Sequence, residues 1–338
     1  MMKRILFIFL IFSALGVKAQ QDPQFTQNFA TQLYNNPAYA GMNQAICATG
    51  VFRQQWMGFE GAPRDILFSV HSPIKIFKGI PQLNPAVGFT FVNDVIGVQS
   101  LNGFKLSLAN RFVLPNIGNL SFGIGLGAMG VSFDGSEFVT PDGNAANGGG
   151  TNSTIVDPNL NPNANSQQYG FDMDLGLYFK SEDKKIFGGV SLQHLNQSAL
   201  EGEVFNSGVV QSTKYQSQSH MYFIGGYNYE WNADWTFTPT VFIKTEFRTM
   251  QFDLNVRALY KEMVWGGVSY RFQDAIAPMV GYQTSALGPG IAKIGMSYDI
   301  TTQKLSNYSS GTFEVFVNYC FNISIPPKVT IHKNPFWL

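Results

Sequence analysis

The stretch NLSFGIGLGAM, residues 119–129, alternates along its whole length. Leu120, Phe122, Ile124, Leu126 and Ala128 share one face, and Ser121, Gly123, Gly125 and Gly127 share the other. A period of two marks a strand between two different surroundings, because successive side chains point to opposite faces of a sheet. GFDMDLGLYFK (170–180) repeats the pattern, with Phe171, Met173, Leu175, Leu177 and Phe179 against Asp172, Asp174, Gly176, Tyr178 and Lys180. QFDLNVRALY (251–260), GIAKIGMSYDI (290–300) and TFEVFVNYCFN (312–322) do the same, setting Asp253, Arg257, Lys293, Asp299 and Glu314 opposite apolar rows. A soluble sandwich also alternates, so length decides. These runs last about ten residues, longer than ordinary strands and close to what a tilted strand needs to cross a bilayer.

Working outward from these runs, the spacing predicts strands over 44–55, 65–72, 85–93, 101–112, 119–131, 170–180, 185–195, 219–229, 235–247, 250–260, 263–273, 275–284, 290–300 and 312–323. The fold class is therefore all-β: an antiparallel outer-membrane barrel of about 14 strands. After the first residues, no apolar run is long enough for a membrane helix and no period near 3.6 persists. Lys3 and Arg4 lead into the apolar run 5–17, which ends at Val17-Lys18-Ala19, the pattern of a cleaved signal peptide over 1–19. Residues 20–43 are then expected in the periplasm, 44–323 as the barrel and 324–338 as a periplasmic tail. The long connections 132–169 and 196–218 are expected outside the cell, with short turns such as 181–184 and 230–234 facing inward. Tyr227, Tyr229, Trp231, Trp235, Tyr260 and Trp265 lie near strand ends, where an aromatic belt would meet the lipid headgroups.

Lys and Arg total 22 and Asp and Glu total 22. Losing Lys3, Arg4 and Lys18 leaves a mature charge of about −3, which gives nothing to recruit nucleic acid. Enzyme and cofactor signals are weak. GLGAMG (125–130) has the form of a dinucleotide fingerprint but lies within a strand, where its glycines read as small lumen-facing residues. Asp157, Asn159, Asn161 and Asn163 alternate as in a calcium loop, but Gln168 stands where the closing Glu belongs. His71, His194, His220 and His332 form no ligand pair at helical or finger spacing, so neither a metal nor a cofactor is predicted. No nucleophile motif is present, and the chain is read as a non-enzyme. Lys105, Arg111, Lys244 and Glu246 join the inward charges above, read either as ion pairs in a hydrated interior or as a solute path. Cys47 and Cys320 lie on the inward parity of the first and last strands. They could form a disulfide across the closing seam or remain two buried thiols.

Five stretches together closely resemble the PorP/SprF family of type IX secretion system membrane proteins of Bacteroidetes. They are NNPAYAG (35–41), RQQWMGFEGAP (53–63), VNDVIGV (92–98), GGVSYRFQDA (266–275) and GMSYDITTQKLSNYSSGTFEVFVNYCF (295–321). The resemblance implies an outer-membrane barrel of a Gram-negative bacterium, in contact with outer-membrane lipid. Its implied partners are a secreted adhesin with a type IX C-terminal domain, which it would help secrete and attach to the surface, or the machinery itself. Gliding motility belongs to the same set of implied roles. In the knot 53–63, Arg53, Trp56, Gly58, Phe59, Gly61 and Pro63 are expected to form the first external connection, closing the mouth or touching the partner. Asp274 is expected at the outer tip of a hairpin. Asn36, Pro37, Tyr39 and Gly41 are expected at the periplasmic entrance, as a plug or a docking face. The loop 132–169 is where specificity for one partner would lie, and assembly signals are sought at Phe321, Trp337 or Leu338. The rival reading is an outer-membrane channel for small or apolar solutes, and a lipid-acting hydrolase is a third.

Overall fold

The computed structural model describes residues 22–75, 83–133, 168–206, 209–303, 306 and 308–321. The leader 1–19, the residues of the possible calcium loop, most of 132–169 and the tail 324–338 with Trp337 and Leu338 lie outside the described residues. No described helix is long and apolar enough to cross a membrane.

The chain runs through β1 (Ile46–Gln54), β2 (Arg64–Pro73), β3 (Pro85–Ile96), β4 (Gln99–Leu114), β5 (Gly118–Phe133), β6 (Gln168–Ser181) and β7 (Ile186–Gln193). It continues through β8 (Ala199–Asn206), β9 (Val209–Gln216), β10 (His220–Tyr227), the two-residue β11 (Tyr229–Glu230), β12 (Trp235–Thr245) and β13 (Met250–Tyr260). The last strands are β14 (Val264–Arg271), β15 (Ala275–Thr284), β16 (Gly290–Thr301) and β17 (Thr312–Phe321). Strands β1–β7, β10 and β12–β17 form a closed antiparallel barrel of 14 strands, with β10 pairing β12 and β1 pairing β17 at the seam. Closure pairs every wall strand on both sides, which a structure in hydrocarbon requires. Residues 196–218, read as a loop from the sequence, instead carry a β-hairpin of β8 and β9. Its two strands pair only with each other.

Alternation sets the two faces of the wall. In β2, Asp65, Leu67, Ser69 and His71 are buried while Arg64, Ile66 and Phe68 are exposed. In β6, Asp172, Asp174, Gly176 and Tyr178 point inward between outward Phe171 and Leu177. The outward rows, including Phe68, Phe104, Leu106, Leu254 and Val268, make the apolar belt that meets lipid. We call the end bearing the β7–β10 connection the outer end, since outer-membrane barrels carry their longer connections outside. Trp231 and Tyr229 are exposed at the inner end and fit the aromatic belt. Trp265 does not: it is 3% exposed and faces the lumen, its ring 6.1 Å from that of Phe316.

At the inner end of the seam, Cys47 lies opposite Cys320 in the β1–β17 register, and the two are joined in a disulfide. The bond spans a sequence separation of 273 residues and covalently closes the barrel where its first and last strands meet. Such a crosslink constrains the unfolded chain strongly. Protein boiled in denaturing detergent without reductant is therefore expected to migrate faster than reduced protein. Cys47→Ser removes the difference, as read by gel electrophoresis.

Candidate functional site

The lumen is filled by the chain's own N-terminal segment. Residues 20–43, assigned to the periplasm from the sequence, lie inside the barrel from Asp22 onward, and Thr26, Gln27, Asn28, Leu33 and Ala38 are almost wholly buried. The segment runs from the outer end at Asp22 to the inner end at Gly41, which leads into β1.

Its inner part is a short helix, α1 (Gln32–Asn35), followed by a 3-10 turn at Pro37–Tyr39. Asn36 sets this turn. Its backbone is extended, its Oδ1 accepts from the Ala38 N–H at 2.9 Å, and Pro37 supplies the fixed φ of a first helical position. The same side chain donates through Nδ2 to the Leu177 carbonyl at 2.9 Å and the Val190 carbonyl at 3.2 Å, hooking the turn onto β6 and β7. Tyr178 donates to Gln32 Oε1 at 2.7 Å, and Gln193 Nε2 donates to the Tyr34 carbonyl at 2.6 Å. The wall makes room through glycine. A Cβ on Gly123 would overlap the Ala38 backbone, and one on Gly176 would overlap the Asn36 side chain. The lumen-facing glycines of β5 and β6 thus form a cradle for the NNPAYAG turn. Of the residues named at the periplasmic entrance, Asn36, Pro37 and Gly41 are buried plug residues and Tyr39 is half-buried, its ring 5.4 Å from His71 and 5.2 Å from Tyr178.

The middle of the plug is aromatic. Phe25 meets Tyr34 edge-on at 5.8 Å, Phe29 meets Trp265 and Phe316 at 5.4 and 5.6 Å, and the Arg257 guanidinium lies 4.1 Å from the Phe29 ring centre. Below this layer a cavity of about 380 Å³, lined in part by Phe29, Tyr39, Thr49, Arg257 and Lys293, lies toward the inner end.

The outer part is ionic. Arg53 stands opposite Glu314 across the seam and opposite Asp65 on β2. Its guanidinium reaches Glu314 and Asp299, both at 3.0 Å, and donates to Thr26 Oγ1 at 2.8 Å. Thr26 and Gln27 donate their backbone N–H groups to the two oxygens of Glu314, both at 2.8 Å, and the Thr26 hydroxyl meets Asp299 at 2.7 Å. Arg271 pairs with Asp299 at 3.2 Å, with Asp253 at 3.4 Å and with Asp274 at 3.0 Å. A second cluster joins Lys105 to Asp174 and, at 3.7 Å, to Asp172. Gly127, between Lys105 on β4 and Asp172 on β6, has no side chain to block that reach. Asp22 accepts from Tyr222 at 2.7 Å and lies 3.1 Å from His194, while Lys244 donates to the Asp22 carbonyl at 2.6 Å.

Arg53, expected in the mouth knot, is instead a β1 residue 1% exposed in the lumen. Asp274 sits in the β14–β15 turn, held by Arg271. The remainder of the knot is an outer connection that clamps its neighbours. Met57 and Ser310 exchange backbone bonds with Gly311 and Met57 at 2.8 and 2.7 Å, Trp56 N–H donates to Thr312 Oγ1 at 3.0 Å, and Gly97 N–H donates to the Gly61 carbonyl at 2.9 Å. Gly58 and Gly61 have φ of +103° and +71°, turns a side chain would strain. Trp56 is half-buried, Pro63 is buried and Phe59 is 39% exposed on the outside. Asp22 and Thr26 were missed from the sequence, because DPQFTQNFATQLY (22–34) carries neither a strand nor a helix period.

The family model described as "Type IX secretion system membrane protein PorP/SprF" matches residues 17–319. No curated protein matches the chain in sequence. Among solved structures, the monoaromatic hydrocarbon channel TodX, as a deltaS2S3 mutant, superposes with a TM-score of 0.52 at 10% identity, covering 86% of this chain and 94% of that one. The monoaromatic hydrocarbon channel CymD superposes with a TM-score of 0.52 at 11% identity, covering 88% and 93%. At such identities the likeness is one of fold.

Removing one partner of a buried ion pair costs about 3–5 kcal/mol, because the remaining charges lose their counter-charge. Arg53→Met is expected to lower the temperature at which the folded gel band converts to the unfolded one. Adding Glu314→Gln recovers part of the loss. Chymotrypsin, which cuts after Phe, Tyr and Leu, should then cleave within residues 22–43 of the single variant in mild detergent and leave that segment of the parent intact.

Proposed function

This chain belongs to the PorP/SprF family of type IX secretion system membrane proteins, and from that premise we propose that it holds a secreted partner at the outer face of its barrel. It is a multi-pass β-barrel of the outer membrane and a membrane component of the type IX system. The partner is a secreted protein with a type IX C-terminal domain, an adhesin, and the barrel serves its secretion and surface attachment. The observation that carries this reading is the tied plug, with Thr26 bound to Glu314, Asp299 and Arg53 near one end and Asn36 bound to the β6 and β7 backbone near the other. A lumen occupied in this way leaves the ends of the barrel as working surfaces, and buried ion pairs there hold position and carry nothing.

On the outer end, the knot offers a docking face. Its backbone is fixed to two neighbouring connections, and Phe59 projects from it with Trp56 beside the surface. Aromatic side chains on a rigid support are the usual anchors of protein interfaces. Asp274, in the β14–β15 turn, adds a carboxylate at the same end of the barrel. None of these features requires catalysis. Two of the solved barrels of similar fold are described as hydrocarbon channels; in this chain the plug stands against a solute path.

The test is to tag the chain in its native host, extract it in mild detergent and identify what co-purifies. A large secreted protein with a type IX C-terminal domain is expected, and Trp56→Ala with Phe59→Ala should deplete it while the barrel keeps its folded gel mobility. Recovery of periplasmic machinery alone would replace the adhesin reading with a linking role. In planar bilayers the parent is expected to be silent; solute-blocked conductance steps would sink the proposal in favour of a channel.

A further inference from the structure

Asp22, His194 and His220 converge at the outer end of the lumen, on three separate parts of the chain. Asp22 belongs to the plug, His194 follows β7 directly, and His220 opens β10, whose register sets it opposite Gln193. An Asp22 carboxylate oxygen lies 3.1 Å from His194 Nε2 and 3.7 Å from His220 Nδ1. One ligand atom from each of the three lies within 4.8 Å of the others. Around an ion with bonds of 2.0–2.1 Å, the edges of a tetrahedron are about 3.4 Å long. The observed spacings bracket that value.

The far side of each imidazole carries a carboxylate. Asp172 lies 2.8 Å from His194 Nδ1, and Glu246 lies 3.2 Å from His220 Nε2. Metal-binding histidines commonly have such an acceptor, which fixes the tautomer and makes the ligating nitrogen a better donor. All three side chains are largely withdrawn from solvent, at 8%, 2% and 12% exposure for His194, His220 and Asp22.

Charge points the same way. Asp22, Asp172, Asp174 and Glu246 are four carboxylates, and Lys105 and Lys244 are two ammonium groups in contact with them or with the Asp22 backbone. Four negative against two positive charges leaves two uncompensated within this group when both imidazoles are neutral. One divalent cation would neutralise them. His220 Nδ1 also sits 2.8 Å from the Gln218 carbonyl, a hydrogen bond that a bound ion would replace.

We propose that Asp22, His194 and His220 bind one divalent transition-metal ion of the zinc type, clasping the start of the plug to β7 and β10. Two imidazole nitrogens and one carboxylate suit zinc and its neighbours, while calcium and magnesium prefer an all-oxygen shell. The ion's role here is structural. It joins three segments that no covalent bond connects locally, as the disulfide does at the opposite end of the barrel.

The measurement uses the full chain, without a histidine tag, in mild detergent. The protein is stripped with a chelator and dialysed against zinc, and bound metal is counted by mass spectrometry. About one zinc per chain is expected, with His194→Gln and His220→Gln each reducing it to background. Asp172→Asn, which alters only the support of His194 and the Lys105 contact, should weaken binding by about 10-fold or more. Folded gel mobility identifies any variant that has lost the barrel. For those, Asp22→Asn, on the plug and outside the wall, repeats the test. Zinc that stays at background in the parent, or that persists in folded His194→Gln and His220→Gln proteins, overturns the proposal.

Discussion

Arg53 sits between Asp299 and Glu314 with almost no access to solvent, and the rest of the lumen is arranged around that fact. A guanidinium in such a place needs its carboxylates, and those carboxylates need donors for their remaining oxygens. The plug supplies them through the Thr26 hydroxyl and the Thr26 and Gln27 N–H groups. Arg271 then shares Asp299 and reaches Asp253 and Asp274, so that charges from β1, β14, β16 and β17 meet one threonine and Asp253 on β13 joins them through Arg271. Wall and plug are each incomplete alone. A barrel of this circumference with the plug removed would present a ring of mixed charge to an empty core, and the plug without the wall is too short to bury its own aromatic side chains.

The wall was legible in the sequence because a lipid-facing row and a lumen-facing row impose period two on every strand. Asp172, Asp174, Asp253, Asp299 and Glu314 were read as inward charges and are inward. Of the plug, only Asn36, Pro37, Tyr39 and Gly41 were read from the sequence, as a plug or a docking face; the rest was not legible, because its structure is dictated by the cavity around it. Four helical residues and a 3-10 turn carry no periodic signal, and the glycines that accommodate them are far away in sequence. Trp265 shows the limit of reading single residues. A Trp near a strand end suits a headgroup belt, yet Phe29 and Phe316 give this one a better environment inside. Parity would have found it, since Trp265 shares the inward face of β14 with Ser269 and Arg271.

His194 and His220 were set aside because spacing along the chain implied no ligand pair. They meet because β10 pairs with β7 across the interposed hairpin of β8 and β9. Spacing rules for ligands assume a helix or a finger; between sheet neighbours any insertion length gives the same proximity. Arg53 was misassigned for a related reason. Its motif continues into the outer connection, and the motif's conformational logic begins only after Gln54, where the strand ends.

The plug also has a bearing on how the barrel is put together. It precedes every wall strand in the chain, while the seam joins the first wall strand to the last. Thr26 is bonded to Arg53 on one side of that seam and Glu314 on the other. A seam mispaired by one residue would turn Glu314 toward lipid and leave the Thr26 and Gln27 N–H groups without an acceptor. The segment is thus a gauge against which the final strand is measured. Closure in the wrong register leaves these groups unpaired at one end of the seam and sets Cys47 out of line with Cys320 at the other.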